Sequence, residues 1–583
     1  MQDRPNWWQR AGTQRLPRRR LLARGGLAAS GIALTAAFGC GSKGNPSVQP
    51  AASSGGQAGT PQQGGTLNVS QLSNATTLDV QRTTSFYTLQ PAGAVQSRLM
   101  RFKTGTDLKT AEDHDVEGDL AVSIESPDAV TWTVKLRPDA KYHNVAPVNG
   151  RLVEAEDVKA TFTRGVGKDN PASGSLSMID PDQIQTPDNT TVVFKLKYPY
   201  APFNKTLASA SYSYLFPREV LTGGYDPAKT FVGSGPFLLD SFQPDVAFNF
   251  KRNPEYYDKG HPYVDAVHYS IIPDASQRMA QFTSANLDTL GEAGSTISPN
   301  DIETLQRTNP KARFLENAPQ TGGPDCLFFQ LGDPASPFQD VRLRRAVSMA
   351  LDRDVLAKTM WGGKVEPGGF YVGHDFGKWA LRLNDLSADV AGYYKFDPAG
   401  AKKLLAESGN ADRTLKLIYV TGYLAPPYDT AAQTIANMLQ SAGFKLSLVT
   451  VDYQKDYIGG GKGIRYGNYP ADQIIFAGIS TFTEADEFIF NYYDSQGTSG
   501  ISRLKDSALD GMIQKARATL NESDRVTAYK NIQKYLADKM YTVMGFSNPT
   551  QKVMVNPRVQ NYQRVFGYGF FAETYTKLGL QKS

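Results

Sequence analysis

The pattern of apolar and polar positions predicts alternating strands and helices from Gly64 onwards. Apolar residues alternate with hydroxyl or basic residues over 132–137, which is typical of a strand with one buried face. Residues 194–197 repeat this alternation and predict a second half-buried strand. We find no internal repeat, and the mixture of strand and helix periods predicts an α/β protein.

Helical patterns dominate the second half of the chain. An Asp-Pro pair at 397–398 opens a helix that Gly409 ends, because aspartate caps a helix start, proline fits the first turn and glycine fits the end. Residues 429–441 predict a helix ended by Gly443, with a strand at 446–448 after it. Two further helical stripes, which we interpret as core-facing, are Leu509, Met512, Ile513 and Ala516, and Val526, Tyr529, Ile532, Leu536 and Met540.

The first 39 residues have the organisation of an export signal peptide. Arginines at 18–20 precede an uncharged apolar run over 25–38, which is too short for a bilayer span of about 20 residues. Residues 18–22 (RRRLL) resemble the twin-arginine export motif, with Pro17 in place of the usual hydroxyl residue. The general secretory route is the alternative.

Cys40 ends this segment in the sequence Ala-Phe-Gly-Cys, which resembles a lipoprotein cleavage site, so we expect a lipid on Cys40. Simple cleavage that leaves a free thiol is the alternative. Residues 41–63 contain no aromatic residue and are rich in Gly, Ser, Pro and Gln, so they cannot bury enough surface to fold. We expect a disordered tether of about 25 Å r.m.s. length. No later segment is long and apolar enough to cross a membrane.

Length and charge narrow the classes of function. A chain of 583 residues is too long for one hydrophobic core, so two or three domains are expected. Removal of residues 1–39 takes away seven arginines and one aspartate, which leaves 55 basic and 56 acidic side chains. A net charge of −1 gives no argument for nucleic-acid binding. Cys326 then has no partner for a disulfide, and we interpret it as a small buried residue of a strand.

Several stretches occur together in a fixed order. They are 136–143 (LRPDAKYH) with 156–158 (EDV), 232–237 (VGSGPF), 251–257 (KRNPEYY) with 272–275 (IPDA), and 337–342 (PFQDVR) with 345–346 (RA) and 350–353 (ALDR). In this order they resemble the peptide- and nickel-type solute-binding proteins of ABC importers, the extracellular family 5 group. The resemblance covers about residues 64–560.

The resemblance implies a two-lobed α/β fold like that of class II periplasmic binding proteins, with an extra inserted domain. The implied parts are domain I (64–84, 225–325 and 550–583), inserted domain II (85–224), and domain III (326–549). Domains I and II would form lobe 1, domain III would form lobe 2, and strands near 326–330 and 541–546 would form a hinge. The implied molecule is a monomer that delivers an oligopeptide or a similar polar solute to ABC permease subunits. It would lie outside the cytoplasmic membrane, attached only through its lipid.

The ligand is less clearly implied, because one position departs from the family pattern. In peptide-binding members an acidic residue anchors the ammonium group of the peptide, and Thr481 occupies the matching position here. Its hydroxyl suits a neutral polar ligand, while Glu484 or Asp486 could replace the carboxylate. The expected ligand-binding residues are Tyr87, Gln330, Thr481, Phe482, Glu484 and Asp486.

Other functions remain open as alternatives. An oligosaccharide is the second class of ligand, and a sensor would capture its ligand in the same way as a transporter. A secreted, lipid-anchored hydrolase is the rival class, but we find no nucleophile elbow and no His-Glu-x-x-His motif, so no catalytic residue is assigned. The five histidines show no metal-ligand spacing, so we expect neither a metal nor a cofactor.

Overall fold

A computed structural model gives the arrangement of most of the chain after the N-terminal region. It describes residues 61–83, 85–105, 115–292, 297–316, 325–361, 371–421, 427–458, 462–479, 484–497, 500–545, 552–565 and 571–581. The expected signal peptide, Cys40 and most of the expected tether lie outside the described residues, as do Thr481 and Phe482. No helix of the described ranges is both long and apolar enough to span a membrane.

The strands, numbered along the chain, belong to several small sheets. They are β1 (Thr66–Gln71), β2 (Met100–Phe102), β3 (Thr104–Gly105), β4 (Val116–Gly118), β5 (Ala121–Glu125), β6 (Thr131–Leu136), β7 (Ile184–Asp188), β8 (Thr191–Lys195), β9 (Phe237–Gln243), β10 (Ala247–Arg252), β11 (Ala266–Ile271), β12 (Thr289–Leu290), β13 (Arg313–Glu316), β14 (Asp325–Phe329), β15 (Thr414–Thr421), β16 (Lys445–Asp452), β17 (Gln473–Gly478), β18 (Thr542–Met544), β19 (Lys552–Val555), β20 (Val559–Gln560), β21 (Arg564–Val565) and β22 (Gly579–Leu580).

The helices are concentrated after β13. They are α1 (Phe86–Gly93), α2 (Ala155–Gly165), α3 (Phe203–Thr206), α4 (Ala275–Thr283), α5 (Pro299–Thr308), α6 (Val341–Met349), α7 (Arg353–Trp361), α8 (Ala388–Gly392), α9 (Pro398–Glu407), α10 (Pro427–Ser441), α11 (Ala485–Tyr493), α12 (Ser507–Arg517), α13 (Glu522–Lys539) and α14 (Phe571–Thr576). Short 3₁₀ helices cover Ser173–Leu176, Pro181–Gln183, Arg218–Val220, Pro337–Gln339, His374–Trp379, Leu383–Asp385 and Ile464–Tyr466, and Tyr453–Ile458 forms one turn of π-helix.

Lobe 1 contains two four-stranded sheets that share one hydrophobic core. The first has the order β1-β11-β10-β9, and the second has the order β5-β6-β8-β7. The common core takes residues from 67–271 and from 553–580, so the first and last described segments meet in this lobe. A three-stranded sheet, β12-β19-β13, packs over a smaller cluster between residues 272 and 314, to which Met554 also contributes.

Lobe 2 has a separate core, drawn only from residues 326–544. Its five-stranded sheet has the order β16-β15-β17-β14-β18. All five residues of β14 are buried, as expected for a strand inside a sheet that is covered on both faces. β14 and β18 lie side by side, with Cys326 opposite Met544. These are the two strands that the resemblance implied as the hinge.

The local expectations agree closely with the described elements. In β6, Trp132, Val134 and Leu136 are all buried, as the alternation predicted. The Asp397 side chain caps α9 by accepting a hydrogen bond from the Gly400 amide. The predicted domain boundaries stay a prediction.

Candidate functional site

The carboxyl ends of several strands meet at one end of the lobe 2 sheet. β14 runs antiparallel to β17 and β18, so Asp325 begins β14 beside Gly478 and close to Met544, where the other two strands finish. The parallel strand β15 ends on the same side. The chain enters β14 from β13 and leaves β18 for β19, and both β13 and β19 belong to lobe 1. We call this end, defined by Asp325, Gly478 and Met544, the crossing end.

The crossing end is the candidate binding site on geometric grounds. In open α/β sheets, ligands bind outside the carboxyl ends of the strands. The described part of lobe 2 begins here at Asp325 and ends here at Gly545, so along the chain this end of the sheet is next to both links to lobe 1.

Asp325 is an acidic residue buried at the crossing end, with 1% of its surface exposed. The Tyr428 hydroxyl at the start of α10 donates a hydrogen bond to its Oδ1 atom. Its Oδ2 atom has no hydrogen-bond partner among the described residues. Burial raises the pKa of Asp325 to about 7, while the hydrogen bond from Tyr428 acts in the opposite direction. Gly478 lies opposite, where a Cβ atom would approach Asp325 Oδ1 to 3.1 Å.

Three acidic side chains at the start of α11 connect the two lobes. Lys205 of lobe 1 places its Nζ atom 2.6 Å from Glu484 Oε2. The Tyr200 hydroxyl of lobe 1 donates to Asp486 Oδ2 at 2.9 Å. The Tyr212 hydroxyl donates to Glu487. All three carboxylates are buried, so these contacts form a polar interface closed to water, which we call the lobe interface.

Asp486 is the centre of the lobe interface. The Tyr529 hydroxyl of lobe 2 donates to its Oδ1 atom at 2.5 Å, and Arg517 Nε lies 3.3 Å from the same oxygen. Burial is the largest single influence on the pKa of Arg517 and lowers it, but the Asp486 carboxylate and the neighbouring tyrosines together raise the pKa of the guanidinium above its usual value. Burial and then the charge of Asp486 raise the pKa of Tyr200, so its phenol stays protonated and acts as a donor.

Arg517 also makes apolar and backbone contacts across the lobe interface. Its guanidinium lies 3.9 Å from the ring centre of Phe490 and 4.8 Å from that of Tyr200. The Ala201 amide of lobe 1 donates to the Arg517 carbonyl at 3.2 Å. The Arg517 guanidinium therefore contacts both Tyr200 of lobe 1 and Asp486 of lobe 2 and helps to hold the two side chains together across the lobe interface.

The sequence-based site residues fall in different places. Glu484 and Asp486 lie together at the lobe interface, already bonded to protein groups. Gln330 donates to the Gly467 and Tyr469 carbonyls, at 2.8 and 3.2 Å, which ties its side chain to neighbouring backbone.

Tyr87 is half-buried on α1, in lobe 1. Burial raises the pKa of Tyr87, and a charge interaction with Tyr453 of lobe 2 adds to this rise. The ligand role of all these residues stays a prediction.

Sequence reasoning missed Asp325, Tyr428 and the lobe 1 partners of α11. A signal for Asp325 was present, since a charged residue directly before the apolar run 326–329 must be buried with it. The lobe 1 partners gave no signal, because Tyr200 and Asp486 are 286 residues apart in sequence. Across the described ranges, no cluster of three or more His, Cys, Asp and Glu side chains could hold a metal ion.

Comparison with known proteins gives consistent matches. The sequence model of a family described as bacterial extracellular solute-binding proteins, family 5 Middle, matches residues 115–500. "Di/tripeptide-binding protein 2" of Pseudomonas aeruginosa is 26% identical over 440 residues, which cover 71% of this chain and 78% of that protein.

Solved structures share the fold at low sequence identity. A periplasmic binding protein, DppA of Helicobacter pylori in complex with the peptide STSA, has a TM-score of 0.75 and 21% identity, covering 89% of this chain and 99% of that one. The binding protein AgaA of A. tumefacien R10, in complex with agropinic acid, has a TM-score of 0.73 and 24% identity, with the same coverage. These likenesses confirm the two-lobed α/β fold class.

Proposed function

The chain belongs to the bacterial extracellular solute-binding proteins of family 5, and we propose that it carries an oligopeptide or a similar polar solute to the permease of an ABC importer. The family resemblance inferred from the ordered motifs is thereby confirmed. The observation that carries the proposal is the division into two hydrophobic cores joined through the adjacent strands β14 and β18.

Capture by closure follows from this division. A solute at the crossing end touches both lobes only when they are closed, so it shifts the population towards the closed form. The closed form brings the acidic residues of α11 against lobe 1, where Tyr200, Lys205 and Tyr212 meet them. A permease can then recognise the closed surface. This sequence of events needs only differential binding and no covalent chemistry.

The class of solute is supported by the relatives. One relative carries the name di/tripeptide-binding protein, and one structural neighbour holds a peptide. Another neighbour holds agropinic acid, so the fold also accepts polar solutes that are not peptides. We therefore propose a small polar solute of peptide-like size.

We further propose that Cys40 carries a lipid that holds the protein on the outer face of the cytoplasmic membrane, with a monomeric head beyond the tether. Metabolic labelling with a palmitate analogue should label the wild-type protein and not the Cys40→Ser variant. Equal labelling of both proteins contradicts the anchor.

The solute-binding function is tested with the full-length protein in detergent. After incubation with a culture-medium extract, native mass spectrometry should show the protein with a non-covalently bound compound of roughly the mass of a small peptide. The melting temperature should rise. The solute released by denaturation should have the mass of a compound that is already present in the extract. A bound product of lower mass, formed with turnover, would instead indicate a hydrolase.

A further inference from the structure

Asp325 differs from the other buried carboxylates of the described residues because it combines the absence of a nearby cation with a buried oxygen that has no hydrogen-bond partner. Ten carboxylates of the described residues are buried. Six of them lie within 4.0 Å of an arginine or lysine nitrogen, as Asp157 does with Arg151 and Asp288 does with Arg558. Within the described ranges, Asp325 has no such cation, and only the Tyr428 hydroxyl donates to its carboxylate.

The remaining three buried carboxylates have other donors. Glu292 accepts from the hydroxyls of Thr289, Tyr562 and Tyr575. Glu487 accepts from Tyr212, and Asp494 accepts from the Gln496 amide and from Gln514. A buried carboxylate with one free oxygen and no cation is strongly unfavourable, so this arrangement calls for a functional reason.

The position of Asp325 supplies that reason. It is the first residue of β14 after the chain crosses from lobe 1, and its carbonyl accepts from the Gly545 amide beside the second crossing. Gly478, directly opposite, has no side chain to cover the carboxylate. The uncompensated acid thus lies at the end of the lobe 2 sheet from which the chain continues to lobe 1 in both directions, which is the proposed solute site.

We propose that Asp325 anchors a cationic group of the solute, a primary ammonium in particular, with Tyr428 holding the carboxylate in place. The inference rests on the proposed function, because it assigns the solute class of that same site. The solute ammonium supplies the missing charge and the missing donor to Oδ2, so a pair forms that is buried and hydrogen-bonded. The solute is therefore an amine, such as a peptide with a free N-terminus. This revises the neutral ligand that Thr481 favoured.

The anchor also makes binding depend on pH. A solute cation pairs with the ionised carboxylate of Asp325. Because the pKa of Asp325 is about 7, the carboxylate becomes protonated below this pH and no longer attracts the cation. Among the neighbouring groups, burial raises the pKa of the Cys326 thiol, Tyr428 donates a hydrogen bond to Asp325, and Gly478 and Met544 carry no ionisable group. Affinity for an amine should fall about tenfold per pH unit below 7.

The test uses di-, tri- and tetra-alanine and putrescine as probes, each beside its N-acetylated form. Isothermal titration at pH 8 should show amine binding that acetylation weakens at least tenfold. Asp325→Asn should weaken amine binding at least tenfold. The control is Asp494→Asn, which changes another buried acid of lobe 2 that has its own donors and should stay within twofold of wild type.

Three outcomes would overturn the anchor. If amines and their acetylated forms bind equally well, the solute is not recognised through a cationic group, although the proposed solute binding still holds. If Asp325→Asn binds amines with wild-type affinity, Asp325 is not the residue that anchors them. No binding of any amine probe refutes the solute class. The proposed function fails separately, when neither the probes nor a culture-medium extract shift thermal unfolding.

A second measurement needs no ligand. The raised pKa of Asp325 means that its contribution to stability decreases as pH rises from about 4 to about 7 and stays low above that. The ligand-free Asp325→Asn protein should therefore melt above wild type at pH 8 and equal it at pH 4.5. Gly478→Ala should fold and still weaken amine binding, since its Cβ atom crowds the carboxylate. Failure of Asp325→Asn to gain stability at pH 8 contradicts an unpaired carboxylate.

Discussion

Replacement of Tyr200 by Phe tests the lobe interface most directly. The Tyr200 hydroxyl belongs to lobe 1, and its hydrogen-bond partner is the Asp486 carboxylate of lobe 2, at 2.9 Å. The residue is buried, and Phe keeps its ring and its contact with Arg517. The substitution therefore removes one charge-assisted hydrogen bond that exists only while the lobes are together.

The size of the effect follows from that bond. A hydrogen bond to a charged group contributes about 1.5–3 kcal/mol. Since each 1.4 kcal/mol corresponds to a factor of ten, the ratio of closed to open molecules should fall by about 10- to 150-fold. Where closure accompanies binding, the Kd rises by the same factor.

The assay combines small-angle scattering with titration. In small-angle scattering, Tyr200→Phe should increase the radius of gyration of the ligand-free protein. Otherwise, in titration, it should weaken binding of whichever amine probe raises the melting temperature of wild type most. Tyr529→Phe is the matched control, because Tyr529 donates to the same carboxylate but from within lobe 2. It should lower the melting temperature and leave the radius of gyration unchanged. An identical response of the two variants would refute a role of Tyr200 in closure.

Further substitutions test local features by denaturant and thermal unfolding. Burial lowers the pKa of His143 to about 4, so the contribution of His143 to stability should fall by about 3 kcal/mol as pH drops from 6.5 to 4, measured as the change in the difference between wild type and His143→Gln. Gly511→Ala, inside α12 with open space around it, should add about 0.5–1 kcal/mol, whereas Gly443→Ala, at a φ of +96°, should cost about 1–2 kcal/mol. Arg558→Ala leaves buried Asp288 without its cation and should cost about 3–5 kcal/mol; a loss below 1 kcal/mol contradicts the pairing.

The order of secondary structure was predictable because its causes are local. The alternation around Trp132 and the Asp397 cap are both visible within a few residues of sequence, and both elements form as expected. The family was also predictable, since short motifs in a fixed order indicated it although the di/tripeptide-binding relative is only 26% identical to this chain. The ligand-binding residues were less predictable, because pockets gather side chains from distant segments.

The contrast is sharpest for the acidic residues of lobe 2. The sequence alone determined that 484–487 is acidic and begins a helix, and that Asp325 precedes an apolar strand. Only the tertiary structure decided that Glu484 and Asp486 have protein partners from lobe 1, while no cation of the described residues lies beside Asp325. The physical reason is that the energy of a buried charge depends on its neighbours in space, and those neighbours lie up to 286 residues away along the chain.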